Sequence, residues 1–183
     1  LKFLKENYLK NSFYHIGPPR DFDLFNDFKK NKTTEITESD YLLCTGLFDH
    51  YDDDLNYYKK LLINYTSKKM ICTNPDLIVD RGKNREYCAG SVAMVFENLG
   101  GQVIYFGKPH SEIYTQSTEL SNKKIIAIGD NLRTDIKGAN NMNYDSLFIT
   151  DGIHKKEIER DGITNVLKKY NVNTTYLQSK LKW

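Results

Sequence analysis

Two aspartates lie in one short stretch of the chain, directly after an apolar run. Residues 125–128 are Ile, Ile, Ala and Ile, Gly129 ends the run, and Asp130 follows. A continuous apolar run of this length predicts a strand that is buried on both faces. Residues 131–134 predict a polar loop, and the apolar spacing that begins at Asp135 predicts a helix. Both carboxylates are therefore expected at one strand-to-helix turn, the edge of an α/β sheet where ligands and Mg²⁺ bind.

A lysine follows the β-rich run that comes before this stretch. Residues 102–106 are mostly β-branched or aromatic, Gly107 ends the run, and Lys108 comes next, followed by a proline that blocks extension of the strand. One lysine and two aspartates at successive strand ends form a cation-plus-metal site that suits a phosphate. The alternative is structural: Asp130 is then a turn residue and Asp135 the N-cap of a helix.

These residues carry a family resemblance. Gly107, Lys108 and Pro109, followed after a predicted helix by residues 129–136, resemble the third and fourth motifs of the haloacid dehalogenase (HAD) superfamily. Residues 73–76 (Thr, Asn, Pro, Asp) and the helix start at residues 89–91 are further marks in the family's order. The resemblance covers nearly the whole chain. It is closest to the NagD-like subfamily IIA, phosphatases with a large α/β cap.

The resemblance implies an α/β fold with two parts. One part is a partial Rossmann-like core with a parallel sheet, and the other is an α/β cap domain. Residues 1–11 are expected to end an N-terminal core segment, residues 12–100 to form the cap, and residues 101–183 to form the C-terminal half of the core. The alternation of predicted strands and helices after Val103 independently favours a parallel sheet.

The resemblance also implies roles for individual residues. Asp130 and Asp135 are the expected Mg²⁺ ligands, and Lys108 and Asp135 are the expected catalytic residues, with Lys108 neutralising the phosphate. The expected substrate-binding residues are Thr73, Asn74, Asp76, Lys108 and Asn131. For the residues at 73–76, the alternative is turn chemistry, in which Asn and Asp bond their own backbone.

The family's nucleophile, the first aspartate of an Asp-x-Asp motif, is expected upstream of the cap. Nothing before Lys10 supplies it, and Asp21 and Asp23, which have the spacing, follow Arg20 in a helix-like segment. The expected function is therefore a Mg²⁺-dependent phosphatase that cleaves a small sugar phosphate or nucleotide through an aspartyl-phosphate, with this chain truncated and inactive alone. The alternatives are a silent or split-gene remnant and a phosphate-binding or protein-interaction domain. Expected partners are a phosphorylated metabolite, a second copy of the chain and the missing N-terminal segment.

Composition excludes several other classes. The net charge of +2 is small and the basic residues are scattered, so no nucleic-acid partner is expected. No apolar run is long enough for a membrane span, and no signal-peptide pattern is present, so a cytoplasmic location is expected. The three cysteines lack CxxC spacing, which predicts reduced core residues.

Two charged clusters need separate interpretations. Asp52, Asp53 and Asp54 precede an apolar helical pattern, and adjacent carboxylates cannot all face one ion, so they predict a capped helix start rather than a metal site. Residues 80–85 predict a loop that contains three basic residues. By resemblance, Arg81, Lys83 or Arg85 could attract an anionic substrate, and the alternative is an ordinary solvated loop.

Overall fold

The structure is a computed structural model that describes residues 1–82, 84–118 and 123–182. The chain folds as two compact units. The first unit comprises Leu1–Ile78 and Arg85–Phe106, and the second comprises Val79–Asn84 and Gly107–Trp183. The substrate-binding residues predicted at positions 73–76 are in the first unit, and the predicted charged residues Lys108, Asp130 and Asp135 are in the second.

The part of the chain up to Tyr105 contains three helices and seven strands among its described residues. In chain order they are α1 (Lys2–Asn7), β1 (Phe13–Ile16), β2 (Lys32–Thr33), β3 (Tyr41–Cys44), α2 (Leu55–Leu62), β4 (Lys69–Cys72), β5 (Ile78–Arg81), β6 (Asn84–Tyr87), α3 (Ala89–Asn98) and β7 (Gln102–Tyr105). Three segments are 3₁₀-helical: Pro19–Asn31, Ile36–Glu38 and Ile63–Tyr65.

Five of these strands form one parallel sheet in the order β2-β1-β3-β4-β7. All four residues of β3 are buried, as a central strand covered on both faces requires. Alternate residues of β3 enter two separate apolar clusters, with Leu42 and Cys44 in one and Tyr41 and Leu43 in the other. The predicted α/β class with a parallel sheet is confirmed.

The acidic cluster before α2 is a helix cap, as the sequence predicted. Asp54 Oδ1 accepts hydrogen bonds from the backbone nitrogens of Asn56 at 2.9 Å and Tyr57 at 3.1 Å. The N–H of Tyr57 also donates to the carbonyl oxygen of Asp54 at 3.1 Å. The carboxylate therefore caps donors that a helix N-terminus exposes, as Asp does at an N-cap.

The predicted loop at residues 80–85 is wrong, because β5 and β6 pair as a two-stranded sheet through these residues. The turn between them contains Gly82, whose φ of +63° is a left-handed conformation that favours glycine. The sequence did not predict these strands because both are largely exposed and rich in charged residues. Lys83 lies outside the described residues.

Strand β7 also differs from expectation. The sequence grouped residues 102–106 with the strands that follow them, whereas β7 pairs with β4, Lys69 being opposite Gln102 and Cys72 opposite Tyr105. Alternation along the chain indicates parallel pairing but does not identify which sheet a strand joins. The assignment of residues 1–11 and 101–183 to a core, and of residues 12–100 to a cap, stays a prediction.

The second unit contains a smaller sheet. Its elements are α4 (Ser111–Thr118), β8 (Ile126–Gly129), a π-helical turn (Leu132–Ile136), α5 (Lys137–Asn141), β9 (Asp145–Ile149), α6 (Lys155–Asp161), α7 (Ile163–Tyr170) and β10 (Tyr176–Gln178). The three strands are parallel in the order β10-β9-β8. The buried core of this unit consists of Leu132, Ile136, Phe148, Val166 and Val172.

Strand β8 is not buried on both faces, which corrects the prediction from its apolar run. Ile126 and Ile128 point to the same face and are 45% and 41% exposed. Among the described strands, β8 pairs only with β9, so one of its edges has no strand beside it. An apolar run is buried on both faces only where other elements pack against both of them.

Candidate active site at the end of strand β8

Lys108 and Asp135 form the ion pair at the centre of the site. Lys108 Nζ is 2.6 Å from Asp135 Oδ1, and the backbone N–H of Asn131 donates to Asp135 Oδ2 at 3.1 Å. The Asp135 side chain is only 12% exposed, whereas that of Lys108 is 44% exposed. The carboxylate is therefore fixed by two donors, while the ammonium group remains accessible to an anion from solvent.

A glycine makes room for this carboxylate. A Cβ atom on Gly129, the last residue of β8, would lie 2.2 Å from Asp135 Oδ2, closer than Cβ contacts occur in proteins. A side chain at this position would displace Asp135 and, with it, the partner of Lys108. The glycine that ends the strand is thus also the residue that lets the helical turn fold back against it.

Asp130 is held in the same way by the loop that follows β9. Its Oδ2 accepts a hydrogen bond from the backbone nitrogen of Ile153 at 3.1 Å. A Cβ atom on Gly152 would lie 2.1 Å from the same oxygen, so only glycine permits this close approach. The hydrogen bond from Ile153 and the close approach to Gly152 both involve Oδ2 of Asp130.

The helix begins earlier than the sequence predicted. Asn131 is its N-cap, with Oδ1 accepting from the backbone nitrogen of Arg133 at 2.9 Å, and residues 132–136 form a π-helical turn in which Ile136 donates to the carbonyl of Asn131. The predicted polar loop at 131–134 is therefore wrong, because the cap is Asn131 rather than Asp135. Asp135 consequently lies within the turn, and π-helical turns are frequent at functional sites.

The donor set suits Mg²⁺ rather than a metal that needs a cage of side chains. No group of three or more His, Cys, Asp or Glu that could hold a metal ion occurs among residues 1–82, 84–118 and 123–182. Mg²⁺ commonly keeps several waters and binds through one or two carboxylates together with substrate phosphate. Asp130 fits the role of direct ligand, and Asp135, which already binds Lys108 and Asn131, fits the role of holding the groups around the ion.

A cavity of about 310 Å³ lies beside these residues within the second unit. Lys108 and Asp135 line it at one side, and apolar and hydroxyl side chains line the rest. The other lining residues are Ile113, Tyr114, Ser117, Thr118, Ile125, Ile126, Ala127, Ile128 and Tyr144. The volume is at the lower end of the range for small-molecule sites.

A buried histidine that the sequence did not single out supports the same loop. His154 Nε2 is 3.2 Å from the backbone nitrogen of Leu132, and Nδ1 is 3.0 Å from Glu157 Oε2. Burial lowers the pKa of His154, and the hydrogen bond to Glu157 only partly offsets this effect. A lone histidine 22 positions away from Leu132 gives no periodic signal in the sequence, so pattern analysis missed it.

Glu157 is held by several donors. Burial raises the pKa of its carboxyl group, but hydrogen bonds from Lys169, His154 and Tyr170 outweigh burial and set the pKa at about 2. Tyr170 Oη is 3.0 Å from Glu157 Oε2, and the guanidinium of Arg133 lies 4.9 Å from the centre of the Tyr170 ring. Glu157 is therefore ionised at neutral pH.

The predicted substrate-binding residues of the first unit form a turn. Asn74 Oδ1 accepts from the backbone nitrogen of Asp76 at 3.1 Å, and the carbonyl of Asp76 accepts from the nitrogen of Gly90 at 3.1 Å. Thr73 Oγ1 is 3.4 Å from the carbonyl oxygen of Cys44. These contacts are the turn chemistry that the sequence left open as the alternative. A substrate-binding role for Thr73, Asn74 and Asp76 stays a prediction. Lys108 and Asn131 both bond Asp135, and Asp130 directly precedes Asn131, but the predicted roles of these residues are likewise untested.

Comparison with known proteins shows what this chain resembles. Residues 105–174 match the HAD-hydrolase-like family model. Over 93 residues the chain is 29% identical to the 5'-nucleotidase YutF of Bacillus subtilis (strain 168), a match that covers 49% of this chain and 36% of that protein. The chain thus aligns with little more than a third of this curated relative's length.

Solved structures agree. A haloacid dehalogenase-like hydrolase from Brucella suis 1330 superposes with a TM-score of 0.80 and 28% identity, over 99% of this chain and 69% of that one. A p-nitrophenyl phosphatase from Archaeoglobus fulgidus, 14% identical, shares the fold with a TM-score of 0.66 over 98% of this chain and 68% of that one. The parallel sheets and charged strand end define a Rossmann-like α/β protein. Over residues 105–174 by sequence, and over nearly its whole length by fold, the chain is similar to haloacid dehalogenase-like hydrolases.

One further structural finding concerns membranes. Among the helices in the described part of the chain, none has the length and apolar content to cross a bilayer.

Proposed function

We propose that the site at the end of β8 is the cation and metal half of a phosphatase active site. The observation that carries the proposal is the Lys108 to Asp135 ion pair at 2.6 Å, which lies in the same loop region as Asp130. In this proposal Asp130 binds Mg²⁺, Asp135 positions Lys108 and the metal's surroundings, and Lys108 neutralises the phosphate. A bound Mg²⁺ ion would supply positive charge against the phosphoryl oxygens.

The proposed reaction needs a nucleophile as well as positive charge. A carboxylate attacks phosphorus, the bond to the leaving oxygen breaks, and the leaving group takes a proton from a neighbouring acid. Water then hydrolyses the aspartyl-phosphate and releases inorganic phosphate. Within the described residues, two pairs have the Asp-x-Asp spacing. Asp21 and Asp23 lie in the 3₁₀ segment Pro19–Asn31, and Asp52 and Asp54 precede α2, which Asp54 caps, so neither pair lies at a strand end.

We therefore infer that the nucleophile reaches the site on a strand that pairs with β8. Two observations support this inference. The edge of β8 has no partner among the described strands, and the side chains of Ile126 and Ile128 are exposed. An unpaired apolar edge readily accepts another strand. A parallel strand added there would end at the same sheet edge as Asp130.

The proposed substrate is a small phosphate ester, either a sugar phosphate or a nucleotide. The relative from B. subtilis is described as a 5'-nucleotidase and that from A. fulgidus as a p-nitrophenyl phosphatase. Thr73, Asn74, Asp76 and Asn131 are proposed to contact the substrate. We also propose a cytoplasmic location and homodimerisation, which rest on composition and on family resemblance.

A second candidate function is a binding domain without catalysis. The unpaired edge of β8 favours it, because an exposed strand edge can bind a protein partner whether or not a nucleophile is delivered. In this case the charged site would bind phosphate without turnover.

Hydrolysis of an aryl phosphate tests the proposal, with the chain alone and with a peptide whose apolar strand ends in Asp-x-Asp. We expect phosphate release that requires Mg²⁺ with the peptide present, and at least a ~100-fold loss in Asp130→Asn. Activity of the chain alone that Asp130→Asn abolishes would show that the nucleophile is already present. Phosphate binding without hydrolysis in every combination would favour the second candidate.

A further inference from the structure

His154 links the two loops that form the charged site. Its side chain is 7% exposed, with Nε2 3.2 Å from the backbone nitrogen of Leu132 and Nδ1 3.0 Å from Glu157 Oε2. Leu132 begins the π-helical turn after β8, and His154 itself ends the loop after β9. The imidazole therefore connects the segment that carries Asp130 to the helix that carries Glu157.

The two hydrogen bonds define the tautomer. The backbone N–H of Leu132 can only donate, so Nε2 of His154 must accept, and the ring proton is on Nδ1, where it is donated to Glu157. Glu157 is kept ionised by Lys169 and Tyr170, so it remains an acceptor. Burial of the imidazole favours the neutral ring that this arrangement needs.

Ile153 and His154 each form a hydrogen bond to the segment from Asp130 to Leu132. The backbone N–H of Ile153 fixes the side chain of Asp130 at 3.1 Å, and the imidazole of His154 fixes the backbone at Leu132. The turn that starts at Leu132 carries Asp135 and thereby the partner of Lys108. The position of both aspartates thus depends on a segment that His154 anchors.

We propose that His154 is a positioning residue, which accepts the Leu132 N–H so that the segment from Asp130 to Leu132 is preformed for the metal. The inference rests on the proposed function, since it needs a metal at Asp130. Residues that orient metal ligands typically change metal affinity 10- to 100-fold when they are replaced. A histidine that only fills the core would lower stability and leave metal affinity unchanged.

The test compares four proteins: the wild-type chain, His154→Phe, which keeps a ring but no acceptor, His154→Gln, which restores an acceptor, and Val172→Ala, which weakens the same apolar core. The two measurements are the Mn²⁺ dissociation constant at pH 7.5 and the hydrogen-exchange rate of the Leu132 amide. We expect about tenfold weaker Mn²⁺ binding and about tenfold faster exchange in His154→Phe. His154→Gln is expected to stay within about threefold of wild type in both measurements.

The possible results distinguish a failure of the positioning role of His154 from a failure of the proposed metal site. Unchanged Mn²⁺ affinity in His154→Phe, or an equal loss in Val172→Ala, would overturn the positioning role and leave the metal site standing. Absence of Mn²⁺ binding by the wild-type chain would overturn the metal site and the positioning role together.

Discussion

The two units differ in what lies at the carboxyl ends of their strands. In the first unit, β1, β3 and β4 are followed by Gly17, Thr45 and Thr73, which are uncharged, and the central strand is fully buried. In the second unit, β8 is followed by Asp130 and has an exposed face. The larger sheet thus contains a strand that is buried on both faces, whereas the charged strand end lies beside the smaller sheet, whose strand β8 is partly exposed. We expect apolar residues of the larger sheet to contribute more to stability than those of β8.

The sharpest test of this contrast applies one substitution to both sheets. Ile71 in β4 is 1% exposed and Ile128 in β8 is 41% exposed. We expect Ile71→Ala to lower the free energy of unfolding of the first unit by about 3 to 4 kcal/mol, because it leaves a cavity, and Ile128→Ala to cost less than about 1 kcal/mol. Denaturant unfolding, monitored in each unit by hydrogen exchange of its amides, measures both changes in the free energy of unfolding. Equal changes for the two variants would contradict the contrast.

A second prediction concerns the buried imidazole of the first unit. His15 Nε2 is 2.9 Å from Thr45 Oγ1, and burial lowers the pKa of His15 to about 4, with a smaller contribution from Lys32. Because this value lies below that of the unfolded chain, the unfolded state binds more protons as the pH falls below about 6.5. We expect a loss of about 2 kcal/mol between pH 7 and pH 5 from this group, which levels off below about pH 4.

His15→Gln keeps a side chain that can bond Thr45 but does not titrate. Between pH 7 and pH 5, the unfolding free energy of this variant should therefore fall by about 2 kcal/mol less than that of the wild-type chain. Identical pH profiles for the two proteins would show that His15 is not held neutral by the fold.

The smallest effect is expected at the helix cap. Asp54→Ala removes the side-chain acceptor for the nitrogens of Asn56 and Tyr57, while Tyr57 keeps its bond to the carbonyl of residue 54, and we expect a cost of about 1 kcal/mol. Asp53→Ala changes the same charge one residue earlier without removing that acceptor, so we expect a change within about 0.5 kcal/mol. Thermal unfolding of both variants measures the difference, and a larger loss for Asp53→Ala would argue against the cap.

The sequence predicted the parallel α/β class, and it predicted that Lys108 lies beside Asp135. The proximity of Asp130 and Asp135 was predictable because both lie in the short segment after β8. The contact of Lys108 with Asp135 does not follow from a shared sheet edge, because β7 and β8 belong to different sheets. The helix start was misplaced by a few residues because Asn131, a polar residue typical of loops, is the cap.

Other features were beyond pattern analysis for identifiable reasons. Whether a face of β8 is buried depends on which elements pack against it, and an apolar run in the sequence does not identify those elements. The contact between His154 and Leu132 joins two loops through a backbone atom, which leaves no side-chain pattern to detect. The sheet that β7 joins is determined by tertiary pairing with β4, which strand alternation does not encode.

Titration of the chain with Mn²⁺ in place of Mg²⁺ tests the central claim most directly. The matched variants are Asp130→Asn and Asp151→Asn, the second altering a carboxylate just after β9 that pairs with Lys155 at 3.5 Å. We predict one binding site that Mg²⁺ competes for, lost in Asp130→Asn and retained in Asp151→Asn. Binding that survives Asp130→Asn, or that is lost equally in both variants, would contradict a metal site at the end of β8.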